Sequence, residues 1–206
     1  MSGSIEDALS FFRLSCGLWR SRRSSHHLLH RRAEAGGSTI EVVELGRDDP
    51  RLVAIAALHG QEAGDVAGGC RVRWSGSMAW DRAGENHEGE SVFALIPSDG
   101  AGREGLLLRD RGYAETAPVA GRFRMEPDDS LLLTTSYETM TSIERFSFAG
   151  PDLRLRTSAV EGLSNTASFC LEVRLAEPTA EAEPPQTGSD GGSGTALETP
   201  LSPLGW

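Results

Sequence analysis

Residues 71–80 constrain the fold of this chain more than any other stretch. Val72, Trp74, Met78 and Trp80 fall on one face of an alternating pattern, and Arg71, Arg73, Ser75 and Ser77 on the other. A period of two is the signature of a half-buried strand. Gly76 within the run permits a bend or bulge. Similar short runs, each bounded by Gly, Pro, Asp or Asn, follow at 91–97, 105–109, 119–125, 130–138, 143–148, 153–160 and 167–175, and two more precede it at 18–31 and 39–45. About ten strands with short connections and no alternating helices predict an all-β, antiparallel up-and-down barrel. A barrel of that size can enclose one small ligand.

Two helices interrupt this pattern. Ser4 and Asp7 ahead of Ala8-Leu9-Ser10-Phe11-Phe12 predict a capped N-terminal helix that covers one end of the domain. Asp49-Pro50 ahead of Arg51-Leu52-Val53-Ala54-Ile55 predicts a second, with Pro50 in the first turn, where no amide hydrogen is needed. After Leu175 the composition turns to Glu, Pro, Ala, Thr, Gly and Ser. The expected organisation is one ligand-binding barrel over residues 1–175 and a disordered tail over 176–206, in which Trp206 reads as an incidental exposed aromatic.

The 206 residues carry a net charge of −10, which argues against nucleic acid or an anionic membrane as the main partner. Cys16, Cys70 and Cys170 are odd in number and far apart, so neither a disulfide framework nor a paired-cysteine zinc site is indicated. No run approaches the length of a membrane span, and the acidic Ile5-Glu6-Asp7 start is unlike a secretory signal. A reducing cytoplasm is the expected location.

Three constellations could carry chemistry. The most basic stretch, from Trp19 to Arg32, includes His26, His27 and His30. Adjacent histidines on a strand point to opposite faces, and no thiol or carboxylate is spaced to complete a tetrahedral zinc set, so no metal is expected. Alternation puts Arg23, Ser25 and His27 on one side and Ser24, His26 and Leu28 on the other. In Pro151-Asp152-Leu153-Arg154-Leu155-Arg156, two arginines project from one face, spaced to receive ligand carboxylates. The competing arrangement puts Leu153 and Leu155 in the core and the arginines in solvent, and by residue type alone it is the favoured one. Glu144 shares a face with Phe146 and Phe148, an odd place for a carboxylate unless that face lines a cavity. Glu172 shares one with Cys170 and Arg174, either as a surface ion pair or inside the barrel. Cys70 and Cys170 read as inert buried thiols.

The chain also carries a set of recognisable strings. Phe11-Phe12, Gly17-Leu18-Trp19-Arg20-Ser21, Arg23-Ser24-Ser25-His26-His27, the Val72 to Trp80 strand, Arg111-Gly112-Tyr113-Ala114-Glu115, Pro118-Val119-Ala120-Gly121-Arg122-Phe123, Tyr137-Glu138, Glu144-Arg145, the Asp152 to Ser158 run and Ser168-Phe169-Cys170 occur in order between about residues 6 and 175. Together they resemble the S-type phycobiliprotein lyases, the CpcS/CpeS family. The resemblance implies a ten-stranded barrel of the lipocalin and fatty-acid-binding type. It also implies an activity: a free linear tetrapyrrole, phycoerythrobilin or phycocyanobilin, is bound as substrate and joined by a thioether to a cysteine of an apo-phycobiliprotein, usually the central site of a β subunit. The acceptor is of the phycoerythrin, phycocyanin or allophycocyanin type, in the cyanobacterial cytosol near the phycobilisome. A homodimer, or a heterodimer with a related lyase subunit, fits the same picture, and phycoerythrobilin is the weakly favoured pigment. The alternative is a bilin carrier that performs no transfer.

The pocket residues implied by the resemblance are Trp19, Arg23, His26, Trp74, Trp80, Glu144, Arg154, Arg156 and Glu172, with Glu144, Arg154 and His26 as the catalytic group. Arg154 and Arg156, with Arg23 as a third clamp, suit the two propionates. Glu144 or Glu172 suits the pyrrole N–H groups, His26 a proton or the ligand's orientation, and the tryptophans ring stacking. The orientation implied for Arg154 and Arg156 turns Leu153 and Leu155 outward, where they would mark a covered edge, a dimer surface or a docking patch. The connection from Val160 to Ala167 is short for the family, which loosens the alignment of Glu172.

Overall fold

The computed structural model describes residues 4–78, 87–110, 119–162 and 165–176. Ten antiparallel strands close into a barrel: β1 (Gly17–His27), β2 (Arg32–Leu45), β3 (Gly68–Met78), β4 (His87–Pro97), β5 (Glu104–Arg109), β6 (Gly121–Met125), β7 (Leu131–Ser136), β8 (Met140–Gly150), β9 (Leu153–Gly162) and β10 (Thr166–Leu175). Each strand pairs with its sequence neighbours, and β1 pairs with β10 to seal the sheet. Closure leaves none of the ten described strands as a free sheet edge. The barrel expected from strand periodicity is therefore present with its up-and-down order. β2 begins seven residues earlier than the alternation indicates, because Gly36 and Gly37, poor strand formers, are held in register by Arg23 and Arg22 of β1.

Two helices close different surfaces. Helix α1 (Ala8–Ser15) is capped by Asp7, whose carboxylate accepts from the Ser10 amide at 2.7 Å. Ser4, four residues from the helix, instead donates to Asp129. Phe11 and Phe12 of α1 enter the barrel and join a core of Ile40, Val72, Phe93, Phe123 and Leu133. Arg174 donates to the carbonyls of Leu14 and Cys16 and ties the helix C-terminus to β10. One barrel end is thus plugged. Helix α2 (Pro50–Leu58), capped by Asp49, lies outside. Its Leu52, Ile55 and Ala56 cover the outward Val92, Ala94 and Ile96 of β4 and Leu108 of β5, so β4 is buried on both faces. No helix among the described residues is long and apolar enough to cross a membrane. Trp80, Arg111–Glu115 and the segment from 177 onward, expected to be a tail, lie outside the described residues.

Candidate functional site

The barrel interior is apolar beneath α1 and becomes polar toward the opposite end, and strand register explains the change. Paired residues on neighbouring strands share a face, so the interior is built in rows. The first charged row is Ser21, Glu172, Arg154 and Phe148; the next is Arg23, Cys170, Arg156 and Phe146; the third is Ser25, Ser168, Ser158 and Glu144. His27, Thr166, Val160 and Ser142 form the row nearest the end remote from α1.

The first two rows hold a compact ion network. Arg154 Nε donates to Glu172 Oε2 at 2.6 Å, and Arg156 Nε lies 3.5 Å from Glu172 Oε1. Arg156 also reaches Glu144 at 3.7 Å and donates to the Cys170 sulfur. Arg154 and Arg156 are 3% and 2% exposed and Glu172 is fully buried, so the arginines face the interior and the leucines between them do not. The arrangement favoured by residue type alone is overturned here. Charged groups outweigh the apolar-inside rule because each finds an opposite charge across the strand pair.

The electrostatics follow from that pairing. Burial pushes the Glu172 carboxyl up, but Arg154 and Arg156 outweigh it and hold the group below its ordinary value, hence ionised. Burial pulls Arg156 down, and Glu172, Cys170 and Glu144 more than restore it. Arg23 is lowered, first by burial and then by the nearby Arg156. A second cation beside Arg156 in a buried row is a place where an added anion lowers the energy of both.

Aromatic rings floor this network. The Arg154 guanidinium lies 4.7 Å from the Trp19 ring centroid and 5.5 Å from that of Phe146, and Arg174 covers Trp19 at 4.2 Å. Trp19 is fully buried and donates from Nε1 to the Ser15 carbonyl at 2.8 Å, which locks it to the end of α1. Trp74 faces inward on β3 and lies across Gly89, where an added Cβ would stand 2.1 Å from the ring. Only glycine permits that approach.

The fold brings together Trp19, Arg23, Glu144, Arg154, Arg156 and Glu172, with Trp74 on the same interior wall. It does not bring His26 to them. Arg23 and His26 stand three apart on one strand and so face opposite ways, and His26 is exposed on the outer surface, 3.1 Å from Ser24 Oγ. The inward histidine is His27. Its Nε2 lies 3.0 Å from Glu34 Oε2 without the alignment of a hydrogen bond, and Nδ1 lies 3.4 Å from Thr166 Oγ1. Glu34 escapes sequence reading because only the hairpin register places it inward, whereas Ser25, grouped with Arg23 by alternation, meets Ser168 at 3.2 Å between hydroxyl oxygens through the closure register.

A cavity of about 20 Å³ near α1, lined by Phe11, Val42, Cys70, Leu131 and Arg154 among others, is too small for a multi-ring ligand. A larger cavity, of about 470 Å³, is lined by Trp74, Gly89, Arg73, Glu41 and Glu88 among others. Fold and interior together define a lipocalin-like barrel with cationic and acidic rows inside.

Comparison with known proteins narrows that class. The model of the CpeS-like protein family matches residues 7–175. The chain is 70% identical over 174 residues to a chromophore lyase CpcS/CpeS of Paulinella chromatophora, covering 84% of this chain and 88% of that one. It is 55% identical, with the same coverage, to the phycocyanobilin lyase subunit CpcS of a Picosynechococcus strain. The solved S-type phycobiliprotein lyase CPES from Guillardia theta superposes with a TM-score of 0.73 at 32% identity, over 85% of this chain and 94% of that chain. This chain belongs to the CpeS-like family of S-type phycobiliprotein lyases.

Proposed function

We propose that the chain is a bilin lyase that seats a linear tetrapyrrole in the polar half of the barrel and directs an acceptor cysteine of an apo-phycobiliprotein onto it. The Arg23–Arg156 row carries this reading: a buried guanidinium and a partly buried one flank Cys170 on adjacent strands, where a ligand carboxylate would be received by charge-assisted hydrogen bonds. Arg154 is committed to Glu172 and supports the row from beneath. That assignment moves the propionate contact from the Arg154–Arg156 pair to Arg156 and Arg23.

Glu144, on the next row and partly accessible, is the carboxylate placed to accept pyrrole N–H bonds and stabilise a protonated tetrapyrrole. Protonation makes the ring-A ethylidene a better electrophile. The acceptor thiolate then adds to the exocyclic carbon, a carbon–sulfur bond forms, the thiol proton ends on the ring carbon, and nothing leaves. Trp74 offers a stacking wall that holds the ligand in shape. His27, with Glu34 behind it, replaces His26 as the imidazole able to orient the ligand or move a proton. Among the two pigments, phycocyanobilin is preferred over phycoerythrobilin, because the 55% identical relative is named for it. The acceptor site is a β-subunit cysteine, and the working compartment is the cytosol.

Co-expression with bilin synthesis and apo-subunits tests the proposal. A zinc-fluorescent acceptor band that needs this chain is expected. Colour retained on this chain with no covalent acceptor band would make it a carrier.

A further inference from the structure

Opposite the α2-covered wall, the barrel carries a face with a different character. The outward side chains of β10 are apolar and exposed: Phe169 at 46%, Leu171 at 37% and Val173 at 44%. Leu171 and Val173 pair with Leu155 and Leu153 of β9, whose side chains also point out. On the other flank, Leu171 pairs with Arg22 and Val173 with Arg20 of β1, both exposed and without a carboxylate partner among the described residues. At the far end the β1–β2 hairpin presents Leu28 and Leu29, each 62% exposed, beside His30 and Arg31. Scattered exposed leucines mean little, but a contiguous stripe with a cationic border is an interaction surface.

We propose that this face docks the acceptor protein, through an acidic surface on the partner with an apolar centre. The inference rests on the lyase reading above. Charge selects the partner. The whole chain carries −10, so an acidic protein is repelled at long range and is steered, among the described residues, to an apolar stripe that arginines border. A second copy carries the same −10, and a two-fold contact through this face would bring the Arg20 and Arg22 row of each copy to the same apolar stripe of the other with no carboxylate to meet it. Position also fits. The stripe runs up to the hairpin at the barrel end where the polar interior rows lie, so a protein seated on it holds a cysteine near the proposed bilin. The basic, histidine-rich stretch thereby divides in two: Arg23, Ser25 and His27 serve the interior, while Arg20, Arg22 and His26 serve the partner.

The test measures binding of the full-length chain, without bilin, to apo-β-subunits of phycocyanin, allophycocyanin and phycoerythrin at low and high salt. Arg20→Glu with Arg22→Glu is expected to weaken the wild-type interaction at least about tenfold and flatten its salt dependence. Phe169→Ser with Leu171→Ser is expected to weaken it while leaving the salt slope. Both variants should bind phycocyanobilin, followed by absorption, as wild type does, and should raise the acceptor KM in transfer while sparing kcat. Wild-type binding to none of the subunits, or a wild-type acceptor KM in the arginine variant, overturns the proposal. So does conversion of a wild-type dimer to monomer with transfer intact, which assigns the face to a second copy. Acceptor affinity that appears only after removal of residues 177–206 assigns it to the chain's own acidic segment. Failure of the wild type to take up bilin breaks the lyase reading instead, and leaves the binding result to stand separately.

Discussion

On β4, Phe93 and Leu95 point into the barrel and Val92, Ala94 and Ile96 point out beneath α2; on β9, Arg154 and Arg156 point in and Leu153 and Leu155 point out. Both strands obey the same alternation and the same closed topology. What differs is the material on each side. At β4 a helix turns the outer face into a second core, so an apolar run is satisfied on both sides. At β9 the inner face meets Glu172 and Glu144, which make buried arginines tolerable, and no helix covers the outer leucines among the described residues. A strand's inward face is decided by its neighbours, and the charged interior of β9 is where the proposed ligand site departs from apolar packing.

The contrast can be broken by mutation. Glu172→Gln removes the fully buried carboxylate that serves two arginines and is expected to destabilise by about 3–5 kcal/mol in denaturant unfolding. A loss under about 1 kcal/mol would mean the network is held by something else. Leu133→Ala, at the apolar core position paired with Glu144, should cost about 2–4 kcal/mol.

The pH dependence is a finer probe of the same row. Glu172 is held below its ordinary value of 4.5, so its contribution is complete above that value and disappears as pH falls through the lower folded one. Stability should therefore be flat from neutral pH down to about 5 and drop below about 4.5, and Glu172→Gln should flatten that acid limb. A persistent steep limb in the variant would point to other carboxylates. The smallest effect is expected on the outer face: Leu171→Ser should change unfolding stability by no more than about 0.5 kcal/mol. A large loss there would show that the leucine stripe is structural.

Much of this was legible before the fold. The alternation at Val72 and Trp74, the turn residues between runs and the Asp7 and Asp49 caps lead to the barrel and its two helices. The orientation of β9 was not legible, because Leu-Arg-Leu-Arg satisfies period two equally well either way round. Only its register with Cys170 and Glu172 breaks the tie. The histidines repeat the lesson. A shift of one residue turns a strand side chain from cavity to solvent, so His26 and His27 cannot be told apart by type. Alternation already grouped His27 with Arg23, whereas the family resemblance pointed to His26, and the register sides with alternation. Glu34 was out of reach because its partner rows come from closure of β1 against β2 and β10.

In the proposed lyase, Arg156 and Arg23 in the polar half of the barrel receive the carboxylates of a tetrapyrrole. Absorption titration of the full-length chain with phycocyanobilin and with its dimethyl ester tests this without relying on a variant's folding. The free acid should bind at least about tenfold more tightly, the loss expected when a charge-assisted contact of roughly 1.5–3 kcal/mol is removed, and Arg156→Ala should erase most of the difference. Equal affinity for the acid and the ester would contradict the account.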